Sequence, residues 1–339
     1  MKIILKKKFD QTVQKAWNSL EKKNNFLIFQ TLNWNKSWLK INSSNNSVFI
    51  FIVYKDEKVV AIFPFYLQKK FFFKIIKWIG YDVSDYLSPL IDKDYVVTQN
   101  EFNHVWYQII SSLKKYSDLL YLDKQSSHKG LFFNPILKYL NCQNYSENYG
   151  IKLFDWKVVK KNKKKSFQQF RRKQKKLSKL GKLEFIADID DEEEKKEIIT
   201  LLIKWKMNTN KINNFSNSFI DEFYFAIIKN SQLKISVLKL DNEIIAGILG
   251  FKFLNKYFFL IPSYKKEEKT YRCSPGKMLL INLLDSLYEN NVSFFDFCNG
   301  NQTYKADLAN QKIDLNIYLK ELNLKGFILK LIIKIRNKI

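Results

Sequence analysis

Between an aromatic, β-branched run, Tyr257–Phe258–Phe259–Leu260–Ile261, and a breaker-free helical stretch from Met278 to Leu287 lies Arg272–Cys273–Ser274–Pro275–Gly276–Lys277. The first turn of a helix leaves N–H groups unpaired and carries the positive end of the helix dipole, which suits a pyrophosphate. In that setting Ser274 is expected to cap, Pro275 to fill the first turn, and Gly276 to let a ligand approach the backbone. Taken alone, Ser-Pro-Gly is as good an N-cap as it is a phosphate site. Downstream, Phe294–Phe295–Asp296–Phe297 reads as a further strand, followed by Cys298–Asn299–Gly300–Asn301–Gln302–Thr303–Tyr304–Lys305. The order is strand, Gly-bearing loop, helix, strand.

Other chemistries find little support. Cys142, Cys273 and Cys298 show no C-x-x-C spacing, and His104 and His128 stand far apart in sequence, so no metal site is expected. Cys273 and Cys298 read as small buried hydrophobes rather than nucleophiles.

The elements that must position these residues follow from patterning. Val48–Tyr54 and Val59–Phe65 flank the turn Lys55–Asp56–Glu57–Lys58, and Ile235–Leu238 and Ile244–Phe251 flank Asp241–Asn242–Glu243. Both are hairpins, and together they form an internal repeat. A helix closing at Ser111–Tyr116 in the first half, and amphipathic helices over Glu192–Asn208 and Ser218–Asn230 in the second, give an α+β pattern twice. Between the halves Lys157–Lys182 holds about a dozen Lys and Arg and no acid, a boundary helix or linker. The seam is placed near 155, giving domains 1–155 and 156–320 and a C-terminal helix over 321–339.

A chain of 339 residues, 46% hydrophobic, can bury two cores. No basic-apolar-small leader opens it, and its apolar runs fall short of the ~20 residues that span a bilayer. A cytoplasmic location is expected. The net charge of +25 attracts nucleic acid, membrane surface or an anionic substrate, and richness in Lys, Asn, Ile and Phe also fits an AT-rich coding bias. The run Lys161–Lys176 has only Phe167 and Phe170 interleaved, so it is no single-strand platform. Lys325, Lys330, Lys334 and Lys338 recur among large aliphatic residues, a basic amphipathic helix suited either to a headgroup layer or to docking on the core.

With Ser274–Pro275–Gly276, the pattern Asp296–Phe297…Gly300…Tyr304–Lys305 resembles the CelD-like acetyltransferases of the GNAT superfamily, named from cellulose and exopolysaccharide biosynthesis. Asp85–Tyr86 and the basic stretch Phe170–Lys173 through Leu177, Gly181 and Glu184–Phe185 agree with it, so the resemblance covers about 48–305. That family is similar in turn to the FemAB-like transferases, which also have two GNAT-like lobes. Two departures stand out: Arg272 is followed by the single Gly276 where a GNAT phosphate loop carries two small residues, and Cys298–Asn299 precede Gly300.

The resemblance implies an α+β fold of two tandem GNAT-like lobes, each a mixed sheet flanked by helices. It implies an acetyl-CoA or other acyl-CoA co-substrate held by Arg272, Ser274, Gly276 and Lys277, in a gap between strands expected at 256–262 and 293–298. Asp296 is the candidate base or acceptor-orienting carboxylate, and Tyr304 the candidate acid toward the departing thiolate. Asp85 and Tyr86, in a first lobe that has degenerated, and Lys305, in the second, are expected on the acceptor side. Holding the reactants together supplies roughly 7–11 kcal/mol, so a strong base is not obligatory. The acceptor implied is a sugar or lipid-linked cell-envelope precursor, with peripheral membrane contact. The alternatives left open are aminoacyl-tRNA transfer, the one case in which nucleic acid is an expected partner, and a non-catalytic GNAT-fold binding module.

Overall fold

The computed structural model describes residues 1–24, 26–42, 47–95, 97–126, 133–209, 217–300 and 303–337. His128, Asn301, Gln302 and Lys338 lie outside them. The chain runs β1 (Lys2–Lys6), α1 (Gln11–Glu21), α2 (Leu32–Asn42), β2 (Ser47–Lys55), β3 (Lys58–Lys70), β4 (Phe73–Trp78), β5 (Leu90–Ile91), α3 (Gln99–Leu113), β6 (Leu119–Gln125), α4 (Pro135–Tyr139) and β7 (Gln143–Lys152). It continues with α5 (Trp156–Asn162), α6 (Lys164–Leu177), β8 (Leu183–Ile186), α7 (Glu192–Thr209), α8 (Asn217–Ala226), β9 (Leu233–Leu240), β10 (Glu243–Phe253) and β11 (Lys256–Tyr264). The last elements are α9 (Glu268–Tyr271), α10 (Pro275–Glu289), β12 (Phe294–Asp296), α11 (Thr303–Leu308), β13 (Gln311–Glu321) and α12 (Leu324–Asn337).

Two compact units result: Met1–Glu147 with Ile313–Ile339, and Asn148–Lys312. The seam thus falls at 147/148 rather than near 155. The chain from Ile313 onward, expected to finish the second lobe and then stand as a separate helix, groups with the first unit instead. Its strand β13 pairs antiparallel with β6, Tyr318 facing Leu122 and Leu319 facing Tyr121.

The first unit's sheet has the order β1-β2-β3-β4-β6-β13. The hairpin β2–β3 closes on Asp56 and Glu57, both left-handed with φ of 47° and 62°, the geometry whose twist matches the flanking strands. Strand alternation sends Phe49, Phe51 and Val53 into one core with Phe102, Trp106 and Ile109 of α3. Ile50 and Ile52 point to the other face, where α1 packs on β2 and β3.

The second unit repeats the plan, with β8-β9-β10-β11-β12 followed by the end of β7. Its hairpin β9–β10 turns on Asp241 and Asn242, φ 48° and 69°, as the first does on Asp56 and Glu57. In each unit an antiparallel run ends in a parallel pair reached through a helix. Ile75 and Ile76 face Leu119 and Leu120 in the first, and Tyr257 and Phe258 face Phe295 and Asp296 in the second. The second core joins β10, β11 and β12 to α10 through Ile248, Phe259, Leu280, Leu284 and Phe295.

Candidate functional site

Pairing between β11 and β12 lasts three residues, from Lys256–Phe294 to Phe258–Asp296, while β11 continues to Tyr264. Along the same stretch β10 and β11 slip register between Leu249 and Gly250, where Ile261 and Phe259 are their partners and Leu260 is the extra residue. A bulge bends its strand and increases the twist. Beyond Phe258 the pairing with β12 ends, and beside the stretch of β11 that continues lies a cavity of about 630 Å³. It is lined by Phe259, Pro262 and Ser263 of β11, Gly247 and Ile248 of β10, the first turn of α10, and Tyr304.

The α10 N-terminus is built differently from its expected form. Pro275 opens the helix, but Ser274 is left-handed, with φ 58° and ψ 59°, and its side chain makes no capping bond. Its Oγ instead accepts from Lys173 Nζ of α6 at 2.7 Å. With no capping side chain and no acid in the first turn, that end keeps its positive field and unpaired N–H groups for an anion. Gly276 permits a close approach, but to protein: a Cβ there would lie 3.1 Å from Tyr264 Cδ1. Tyr264 stacks on Tyr271, with ring centroids 6.1 Å apart and planes at 25°. Lys277 reaches Ser166 Oγ at 3.4 Å, and Arg272, exposed, pairs with Glu268 at 2.9 Å.

The structure thus gathers Arg272, Ser274, Gly276, Lys277 and Tyr304 at one cavity. Tyr304 packs edge-on against Phe297, and burial raises its phenol above the ordinary value, so it holds its proton. Asp296 is elsewhere. Fully buried, it is absent from the cavity wall, and its Oδ1 accepts the Cys298 N–H at 2.8 Å, holding Cys298 at φ 54°. That bond gives Asp296 a part in shaping the turn.

Lys305, expected on the acceptor side, is 3% exposed and donates to the Phe297 and Asn299 carbonyls at 2.9 and 2.7 Å. Its ammonium staples the loop after β12. Lys173, Lys206, Tyr264 and Tyr271 also line the cavity and were not singled out from the sequence. The signals for Lys173 are its place in a basic run and in the Phe170–Lys173 stretch that agrees with the resemblance.

Asp85 and Tyr86 belong to the first unit, where the parallel pairing also ends, beyond Ile76 and Leu120. There the gap is plugged. Lys124 Nζ donates to the Tyr81 and Ser84 carbonyls at 2.7 and 2.8 Å, and Lys77 Nζ sits 3.6 Å from the Tyr81 ring centroid and 5.1 Å from that of Tyr121. Burial pushes Lys77 down to about 8 and raises Asp123, whose Oδ2 accepts from Tyr145 at 3.4 Å. Tyr86 is buried against Phe29, while Asp85 is half-buried. The helix that follows, α3, closes its own N-terminus with a capping box of Thr98 and Glu101. Glu101, held at about 2 chiefly by its bond to the Lys55 ammonium, puts a negative charge where an anion would bind. Of these two helices, α10 in the second unit is the one whose N-terminus lacks both a capping side chain and an acid in its first turn.

Residues 164–306 match the family described as Acetyltransferase (GNAT) domain. No curated protein matches the chain. Among solved structures, FemX aligns over 95% of this chain and 95% of its own with a TM-score of 0.58 and 12% identity. A tandem GNAT protein from the clavulanic acid biosynthesis pathway aligns over 95% and 98%, with a TM-score of 0.54 and 10% identity. L-PGS from Bacillus licheniformis aligns over 95% of each chain, with a TM-score of 0.54 and 12% identity. At such identities the likeness is one of fold, and the segment that matches the GNAT domain lies within the second unit.

Proposed function

We propose that this protein transfers an acyl group, acetyl in the simplest case, from acyl-CoA to an amine or hydroxyl of a cell-envelope sugar or polysaccharide precursor, in the manner of the CelD-like acetyltransferases. The supporting observation is the cavity where β11 outruns β12 beneath an uncapped helix end, with Lys173 beside it. The pyrophosphate lies on the first turn of α10 near Lys173, and the thioester lies in the strand gap. The acceptor's lone pair attacks the thioester carbonyl, the C–S bond breaks, and a C–N or C–O bond forms. The acceptor's proton leaves to water, and Tyr304 gives its phenolic proton to the thiolate. Asp296 and Lys305 hold the backbone of Phe297–Asn299 that precedes α11, the helix on which Tyr304 stands.

The first unit, its own gap plugged, recognises the acceptor, with Asp85 as the polar group and Tyr86 as its support. The setting is cytoplasmic, at the inner face of the cell membrane, where lipid-linked precursors reside. Among the described residues no helix is long and apolar enough to cross a membrane.

One observation favours a second reading. Lys164, Lys165, Arg171, Arg172, Lys175 and Lys176 all stand exposed on α6, a face suited to a polyanion such as aminoacyl-tRNA. Isothermal titration with acetyl-CoA and longer acyl-CoAs separates the two. Micromolar binding that weakens in Lys173→Glu supports the acyl-CoA donor; no binding by the wild type, with tight salt-sensitive binding of tRNA, supports the alternative.

A further inference from the structure

The surface of the first unit carries a feature that acyl transfer does not use. Along α12, Leu324, Phe327, Ile328, Leu331, Ile332 and Ile335 recur at helical spacing, and each is between 45% and 79% exposed. These residues form the apolar stripe of the helix, yet it faces solvent. The opposite side faces the protein: Leu329 and Ile333 are half-buried, and a Cβ on Gly326 would lie 1.8 Å from the Asp118 carbonyl oxygen.

A second exposed apolar feature adjoins the first. At the β3–β4 turn, Phe71 and Phe72 are 90% and 71% exposed, and Phe71 adopts φ 55°. A large side chain at positive φ is unfavourable for the backbone, and an exposed aromatic gains nothing from burial. Asp118 ties the two features together. It accepts the Lys74 N–H and the Asn323 side-chain amide, both at 2.8 Å, and Asn323 in turn caps α12 by accepting the Gly326 N–H at 3.0 Å. Lys69, Lys70, Lys74 and Lys325 are exposed on the same two elements.

The geometry points to a membrane-docking surface, in which α12 and the Phe71–Phe72 turn enter the headgroup layer of an anionic bilayer while these lysines meet lipid phosphates. Charge selects this occupant. A second copy of the chain would bring like-charged rims together, whereas an anionic bilayer offers apolar depth and counter-charge at once. The inference deepens the proposed location and is independent of the acyl donor.

The test is flotation of the full chain with vesicles of phosphatidylcholine alone and of phosphatidylcholine with equal phosphatidylglycerol. It uses the wild type, the double variant Phe71→Ser/Phe72→Ser, and the double variant Leu331→Ser/Ile332→Ser. Because all four side chains are exposed, both variants are expected to keep the wild-type circular dichroism and acyl-CoA titration. The wild type is expected to float with the anionic vesicles only and to lose binding as salt rises, and each double variant to bind on the order of tenfold more weakly. Failure of the wild type to float with anionic vesicles, or unchanged flotation of both variants, overturns the proposal. So does a wild-type dimer that Leu331→Ser/Ile332→Ser converts to a monomer, which assigns the face to a second copy. Loss of acyl-CoA binding would strike the proposed reaction and leave the surface untouched.

Discussion

Lys173 Nζ donates to Ser274 Oγ at 2.7 Å, bringing a cation from the basic helix α6 to the left-handed residue that starts α10. A phosphate on the first turn of α10 would meet that ammonium as well as the helix N–H groups. Lys173→Ala is therefore expected to weaken acyl-CoA binding about tenfold, the scale of one charge-assisted contact. Calorimetry at two salt concentrations reads this, since the difference between wild type and variant should shrink as salt rises. Equal affinities would place the phosphates elsewhere.

Tyr304 lines the same cavity, and burial raises its phenol above the ordinary value of about 10. A raised phenol stays protonated and able to donate through roughly pH 10, so no alkaline fall in rate below that belongs to it. Tyr304→Phe is expected to lower kcat by about 10²–10⁴-fold with acyl-CoA affinity unchanged. Single-turnover rates together with titration check this, and a variant as fast as the wild type would remove Tyr304 from the reaction.

Much of the scaffold is legible in the residues because it rests on local rules. The turns at Asp56–Glu57 and Asp241–Asn242 sit between apolar runs, and small or polar residues there tolerate the left-handed angles a tight hairpin needs. The repeat and the two-lobed α+β plan follow from them. What escapes is what depends on distant partners. The pairing of β13 with β6 joins residues nearly two hundred positions apart, Tyr318 with Leu122 among them, and nothing local announces it. Ser274 has the type of a capping residue, yet its φ of 58° turns the hydroxyl toward Lys173. Lysine is ordinarily a surface residue. Lys305 is not, because two carbonyls left by the loop after β12 need a donor.

Replacing that donor tests the structural role. Lys305→Met keeps the chain length but leaves the Phe297 and Asn299 carbonyls without their bonds, at a cost of roughly 2–4 kcal/mol. A lower urea midpoint with an unchanged slope is expected. A stable but inactive Lys305→Met would instead return this lysine to acceptor binding.

The plug of the first unit gives a prediction in pH. Lys77 is held at about 8 by burial, against the pull of Asp123 and Asp82 and with the push of Lys124 and Lys70. The unfolded chain restores the ordinary value of about 10.4 and so binds the proton more readily. The contribution of Lys77 to stability is therefore fully present above about pH 10.4 and is lost as pH falls through about 8. Between those values wild-type stability should rise with pH more steeply than that of Lys77→Met, in which the ammonium is replaced by an apolar chain that the tyrosines can cover. Urea unfolding at roughly pH 7.5 and roughly pH 9.5 reads the difference in slope. Identical slopes would mean that the Lys77 ammonium reaches water past Tyr81 and Tyr121, and that the first unit's gap is open as the second's is.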